Sequence, residues 1–114
     1  MNENEVKNEN VNPVVQLQPA CDILEQNGGV RLLMDLPGID AGNLNIGVKD
    51  RQLHVEADFP GLWQGRQVHF KRSFQLSEDI SASGISAKIK NGVLELFLPK
   101  TESARVHKIA IERD

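Results

Sequence analysis

Residues 85–98 have the sequence ISAKIKNGVLELFL, and this stretch decides the fold class. Its first half alternates apolar with polar residues, which is the two-residue period of a β-strand with one buried face. Asn91-Gly92 follows, a dipeptide that favours a tight hairpin turn because both of its residues tolerate a positive φ. A second apolar run begins at Val93. The stretch therefore predicts two strands joined by a two-residue turn.

The same alternation recurs upstream in short runs that are separated by turn residues. No window shows apolar residues spaced three and four apart over three turns, so little helix is expected. Seven short strands at this spacing predict an all-β protein with the architecture of a β-sandwich. The upstream runs are defined by Cys21 and Ile23; Val30, Leu32, Met34 and Leu36; Leu44, Ile46 and Val48; Leu53, Val55 and Ala57; and Val68, Phe70, Phe74 and Leu76.

One charged residue breaks this pattern. Arg72 has the same parity as Phe70 and Phe74, so its side chain is predicted to point toward the apolar face of its strand. Two explanations fit this position. Either the strand bulges at Arg72, or the guanidinium reaches an edge or a carboxylate partner.

Length and composition limit the organisation of the chain. Its 114 residues suit one domain, which excludes a two-domain enzyme. We predict a flexible N-terminal arm at residues 1–18, the sandwich at 19–99 and a tail at 100–114. No apolar run reaches the ~20 residues of a membrane span, and a net charge of −3 does not favour nucleic acid. One cysteine and no secretory signal pattern lead us to expect a cytoplasmic location.

Catalytic chemistry has no visible basis in the sequence. The chain has no nucleophile elbow, phosphate-binding loop or dinucleotide fingerprint, so we expect no enzyme activity and no cofactor. His54, His69 and His107 are far apart and lack further ligands at metal-binding spacing, so no metal site is expected. Cys21 alternates with Ile23 and is predicted to be a small buried hydrophobe.

Four segments in order resemble the small heat-shock proteins, the α-crystallin domain family. They are PACDI at 19–23, LPG at 36–38, FKRSFQL at 70–76 and AKIKNGVL at 87–94. The last matches the family signature of an alanine, three variable residues, a polar residue and Gly-Val-Leu. Ile109-Ala110-Ile111 is similar to the family's isoleucine-any-isoleucine tail motif. The resemblance covers residues 19–111.

The resemblance implies an immunoglobulin-like sandwich that holds unfolding proteins in a soluble state without nucleotide hydrolysis. It also implies that Ile109 and Ile111 of one subunit dock in an apolar groove of another. The groove strands would be 44–49 and 85–90, with the walls Leu44, Ile46, Val48, Ile85, Ala87 and Ile89. The expected partners of the protein are unfolding clients, further copies of this chain in a dimer or small oligomer, and other small heat-shock proteins.

The sequence also fits other interpretations of the tail and of the function. Ile109 and Ile111 alone also fit a last strand within their own sandwich. The chain also fits a non-holding interaction or co-chaperone module, or an accessory subunit that co-assembles with a longer small heat-shock protein.

The chain departs from the family in two places. The segment 58–67 is shorter than the stretch that usually carries a strand swapped between bacterial subunits, so Leu62 and Trp63 are expected to form a reduced dimer contact instead. The N-terminal arm is short and has no aromatic residues. We therefore predict a smaller assembly and weaker client holding than is typical of the family.

Overall fold

Eight strands and three single-turn 3-10 helices make up the secondary structure of the described part of the chain. A computed structural model describes residues 13–106 and 108–113. The 3-10 turns are Ala41–Asn43, Ala82–Gly84 and Glu102–Ala104. The strands are β1 Val15–Leu17, β2 Cys21–Gln26, β3 Gly29–Asp35, β4 Leu44–Lys49, β5 Gln52–Asp58, β6 Val68–Gln75, β7 Ser86–Lys90 and β8 Val93–Pro99.

The strands form two four-stranded sheets. The first sheet has the order β1-β6-β5-β4 and the second has the order β2-β3-β8-β7. All pairs are antiparallel except β1 with β6, which is parallel. The predicted all-β sandwich is therefore confirmed.

The sequence did not predict β1. Val15–Leu17 lies inside the stretch predicted as a flexible arm, and it pairs with Val68–Phe70 of β6. Three residues are too few to show a period, and a parallel partner more than fifty residues away leaves no local signal. The rest of the predicted arm, residues 1–12, lies outside the described residues.

The core consists of the alternating apolar positions of both sheets. The side chains with the least exposure come from β3, β5 and β8 and from the residue that follows β3; they are Met34, Leu36, Leu53, Val55, Leu94 and Leu96. Sheets pack face to face about 10 Å apart, so one layer of such side chains fills the space between them. No polar or charged residue is buried in the described part of the chain. The sandwich is held together chiefly by apolar packing.

The turn that the sequence predicted between β7 and β8 is confirmed. Asn91 and Gly92 both have positive φ, at 52° and 75°. The Gly92 carbonyl accepts a 2.7 Å hydrogen bond from the backbone N–H of Leu36. A Cβ at Gly92 would lie 3.3 Å from the Cα of Pro37, so the turn packs closely against the end of β3. Glycine is required here by both conformation and space.

Arg72 links the two sheets at the rim where the chain crosses from β1 to β2. Its Nη1 donates a 2.7 Å hydrogen bond to the carbonyl of Pro19, and its guanidinium lies 5.2 Å from the centre of the Phe74 ring. The register of β5 with β6 is continuous from Gln52↔Gln75 to Asp58↔His69. The strand therefore does not bulge, and the partner of Arg72 is a backbone carbonyl rather than a carboxylate.

Leu94→Ala should destabilise the sandwich by about 2–5 kcal/mol, because Leu94 is 0% exposed and its removal leaves a cavity. Chemical denaturation followed by circular dichroism measures this loss. Val93→Ala is the matched control on the neighbouring residue, because the Val93 side chain is 40% exposed. This substitution should change stability by about 0.5 kcal/mol or less. Equal effects of the two substitutions would contradict the assigned faces of β8.

Arg72→Met should cost about 1–3 kcal/mol, because it removes a charged donor from a half-buried carbonyl. Lys71→Met is the control on the adjacent residue. Lys71 is exposed, and its ammonium makes a long contact of 3.8 Å with a carboxylate oxygen of Glu56. Urea denaturation of both variants measures the difference. A smaller loss for Arg72→Met than for Lys71→Met would contradict the linking role of Arg72.

Candidate functional site: an apolar groove between two edge strands

One rim of the sandwich contains an open apolar groove. β4 ends the first sheet and β7 ends the second, and within the described residues each strand pairs on one side only. Between them lies a groove of about 290 Å³, whose walls are Ala41, Leu44, Ile46, Ala87, Lys88, Ile89 and Leu94. Edge strands offer unpaired backbone N–H and C=O groups as well as side chains. The groove can therefore accept an extended apolar segment.

The structure brings together four of the six residues that the sequence predicted as groove walls. Leu44 and Ile46 contribute from β4, and Ala87 and Ile89 contribute from β7. These side chains follow strand parity, which is why the alternation identified them. Leu44, Ile46 and Ile89 are half-buried, while Ala87 is exposed.

Val48 and Ile85 are not among the groove walls. Val48 lies near the far end of β4 and is 39% exposed. Ile85 precedes β7, where it follows the 3-10 turn Ala82–Gly84 and packs half-buried against the core. The predicted groove strand 85–90 therefore begins one residue later, at Ser86.

The sequence missed three of the walls. Leu94 is the register partner of Ile89, so its side chain forms part of the groove floor. That contact was accessible from the hairpin register, since the Asn91-Gly92 turn sets the pairing of β7 with β8. Ala41 comes from a 3-10 turn whose path the sequence does not specify, and Lys88 contributes from the outward parity of β7.

Three lysines lie on the two edge strands that border the groove. Lys49 ends β4, and Lys88 and Lys90 lie on β7. The Lys88 ammonium is 3.3 Å from a carboxylate oxygen of Glu95, whose other oxygen is 3.0 Å from Nε of Arg31. Lysines along an edge strand oppose the addition of another strand to that edge, because pairing would crowd and desolvate their charges.

The described part of the tail does not fold back onto the sandwich. Residues 108–113 form no strand, and the side chains of Ile109 and Ile111 are 83% and 91% exposed. The alternative in which these residues form a last strand of their own sandwich is not observed. Two branched apolar side chains this exposed are free to be buried elsewhere.

Leu62 and Trp63 project from a small loop that the sequence predicted as a shortened connection. Trp63 and Arg66 form a two-residue bridge, with backbone hydrogen bonds of 2.9 and 3.0 Å. Gln64 and Gly65 turn between them with φ of 50° and 76°. The side chains of Leu62 and Trp63 are 64% and 51% exposed. This arrangement presents both residues at the surface.

Cys21 is half-buried at the start of β2, less enclosed than the sequence predicted. Burial raises the pKa of its thiol, and the nearby positive charge of Arg72 opposes that rise. Because the thiolate is the reactive form, Cys21 is a poor nucleophile at neutral pH.

His54 and His69 lie in separate polar environments. Nδ1 of His54 lies 2.9 Å from the Ser73 hydroxyl, while Nδ1 of His69 lies 2.7 Å from a carboxylate oxygen of Asp58. His107 lies outside the described residues. Among the residues with described placement, no group of three or more histidine, cysteine, aspartate or glutamate side chains is arranged to hold a metal ion. Within the same residues, no helix is long and apolar enough to cross a bilayer.

Comparison with known proteins assigns the class of this fold. The family model described as "Hsp20/alpha crystallin family" matches residues 22–112. The chain belongs to the Hsp20/alpha crystallin family, and the predicted resemblance is confirmed.

Sequence relatives agree with this assignment. The chain is 37% identical over 93 residues to "18 kDa antigen 1" of Mycobacterium avium, covering 73% of this chain and 63% of that protein. It is 35% identical over 92 residues to the "Probable 15 kDa heat shock protein" of Leptospira interrogans, covering 74% of this chain and 71% of the relative. The match thus spans less than two thirds of the length of the mycobacterial protein.

Solved structures show the same sandwich. The hspA protein of Xanthomonas axonopodis is 31% identical, with a TM-score of 0.64 over 75% of this chain and 96% of that one. Heat shock protein 16.0 of Schizosaccharomyces pombe has a TM-score of 0.68 over 85% of this chain and 77% of that one. At 24% identity, this second likeness concerns the fold alone.

Proposed function

We propose that this protein is an ATP-independent holdase that binds unfolding proteins and prevents their aggregation. The observation that carries the proposal is the open groove between β4 and β7, with its apolar walls Leu44, Ile46, Ala87 and Ile89. An unfolding client exposes extended apolar segments that a native protein buries. Such a segment can add backbone hydrogen bonds to a free edge and insert alternate side chains into the groove.

The tail supplies a second ligand for the same groove. Ile109 and Ile111 are exposed and share the parity that directs two side chains to one side of an extended chain. We propose that they dock in the groove of another copy and that the subunits assemble in this way. The loop that displays Leu62 and Trp63 is the proposed dimer contact, since exposed tryptophan is a frequent interface anchor.

The free energies of burial and association favour a weak and reversible tail contact. Complete burial of Ile109 and Ile111 would contribute about 1.5–3 kcal/mol each. Association costs an estimated 4–15 kcal/mol in lost translational and rotational freedom. One tail in one groove is therefore short-lived, whereas several tails in one assembly reinforce each other. Tails that leave their grooves make them available to clients.

The remaining parts of the proposal follow from the sequence. We place the protein in the cytoplasm, where a single unpaired cysteine is stable. Residues 1–18 and 100–114 act as connecting arms around the sandwich at 19–99, although β1 of the arm is part of the first sheet. We propose that each subunit holds clients weakly, because residues 1–18 contain no aromatic side chain.

Thermal aggregation of a model client, measured by light scattering, tests the holdase. We expect equal protection with and without ATP. Ala87→Glu should abolish protection, because it places a charge in the groove at an exposed position that the core does not need. Ser86→Glu is the matched control on the adjacent outward position. Protection that requires ATP, or that survives Ala87→Glu in a folded protein, would remove the holdase proposal.

The tail contact is tested by the mass of the native assembly. Changing Ile109 and Ile111 to alanine should lower the mass and speed subunit exchange, because the docked apolar area shrinks. Native mass spectrometry measures both. Val106→Ala is the control, since Val106 is 97% exposed but lies outside the isoleucine pair. An unchanged mass for the double isoleucine variant would show that the tail does not hold the subunits together.

A further inference from the structure

Phe59 anchors the loop between β5 and β6 to the core of the sandwich. It directly follows β5, and its side chain is half-buried and packs against the core. Its backbone N–H donates a 3.0 Å hydrogen bond to the carbonyl of Val68 at the start of β6. The two ends of the loop are joined at this point, and residues 60–67 lie between them.

The Phe59 ring lies between two glycines. A Cβ at Gly38 would be 2.5 Å from ring carbon Cε1, and a Cβ at Gly61 would be 3.1 Å from Cε2 on the opposite edge of the ring. A side chain at the first position would overlap the ring, and one at the second would press against it. Glycine permits such an approach because it has no Cβ. The ring therefore contacts the turn after β3 at one edge and the loop at the other.

The contact with Gly61 supports the part of the loop that has no backbone pairing of its own. Trp63 and Arg66 are joined by two backbone hydrogen bonds, of 2.9 and 3.0 Å. Among the described residues, by contrast, residues 60–62 form no backbone hydrogen bond. Gly61 is the middle residue of this stretch and lies two positions before Trp63. The Phe59 ring thus supports the segment that leads into the exposed tryptophan.

A contact that is ordered before association binds more tightly than one that must be ordered during association. Fixing the backbone of a mobile residue costs conformational entropy, and a segment already fixed in the free subunit avoids that cost on binding. Leu62 and Trp63 are exposed apolar side chains at the end of the segment that the ring supports. Their affinity for a partner therefore depends on how well this segment is held.

We infer that Phe59 is a positioning residue for the dimer contact, which it fixes in each free subunit before two copies of this chain associate. This inference rests on the proposed dimer contact of Leu62 and Trp63, and it adds the residue that gives this contact a defined shape. Phe59 acts through Gly61 from within its own subunit. Because the loop is closed by hydrogen bonds of its own subunit, association requires no exchange of strands.

Trp63 is the only tryptophan of the chain, so its fluorescence reports on the loop in the full-length protein. The test uses the chain with Ile109→Ala and Ile111→Ala as a common background, so that tail docking contributes little to association. We expect the Trp63 emission to shift to shorter wavelength as the protein concentration rises, because dimer formation buries the indole. The concentration dependence of this shift gives the dissociation constant of the dimer.

Gly61→Ala should weaken the dimer about tenfold, a factor that corresponds to the cost of ordering roughly one backbone residue. The added methyl group presses against a ring that Gly38 holds at its other edge, so the loop has to move. Time-resolved anisotropy of Trp63 in dilute protein should show a larger amplitude of fast local motion. Gly47→Ala is the matched control, since among the described residues no heavy atom other than those of its chain neighbours lies within 4 Å of its Cβ position.

A second variant removes the ring without adding a methyl group to the loop. Phe59→Leu keeps an apolar side chain against the core but loses the two ring edges that contact Gly38 and Gly61. It should also weaken the dimer and increase the local motion of Trp63. Thermal melts followed by circular dichroism show which variants are folded under the conditions of the fluorescence measurements.

The outcomes separate this inference from the proposed dimer contact. If folded Gly61→Ala and Phe59→Leu keep the affinity of the background, the role of Phe59 is wrong while the dimer contact stands. The contact itself is tested by Trp63→Ala, for which native mass spectrometry should show fewer dimers. Undiminished dimers of Trp63→Ala, or a background whose emission does not change with concentration, would overturn the dimer contact and this inference together.

Discussion

The structure depends on the packing of two sheets that cannot close on each other. β4 and β7 end their sheets at the same rim, and the pairing of the described strands leaves one edge of each free. Apolar side chains at this rim have core on one side only, which is why Leu44, Ile46 and Ile89 are half-buried. The same alternation that builds the core therefore also builds the groove, and the groove needs no dedicated insertion.

The opposite rim is arranged differently. There the chain itself crosses from β1 to β2, and Arg72 of β6 donates a hydrogen bond to Pro19 in the crossover. A single guanidinium thus connects β6 of the first sheet to the segment that enters the second. The β1–β2 crossover thus carries a charged hydrogen bond between the sheets, whereas the β3–β4 crossover contributes only Ala41 to the wall of the groove. The edges of β4 and β7 remain open beside this groove, where an incoming segment can lie.

Most of the fold could be predicted from the sequence, because strand alternation and turn chemistry are local. Asn91-Gly92 identified its hairpin, and four groove walls followed from parity. β1 could not be predicted, since its stability comes from a distant parallel partner. The partner of Arg72 could not be predicted either, because it is a backbone carbonyl 53 residues away in the sequence. Val48 and Ile85 have the correct parity, but groove membership also depends on position along the rim.

The central claim is that the isoleucine pair of one subunit occupies the β4/β7 groove of another. Methyl NMR on a mixed assembly tests it most directly, with one population of subunits labelled at isoleucine and leucine methyls and the other labelled differently. The account predicts intermolecular nuclear Overhauser effects from Ile109 and Ile111 to Leu44, Ile46 or Ile89. Tail methyls that contact only their own sandwich, or that show no contact while the assembly remains intact, would contradict it.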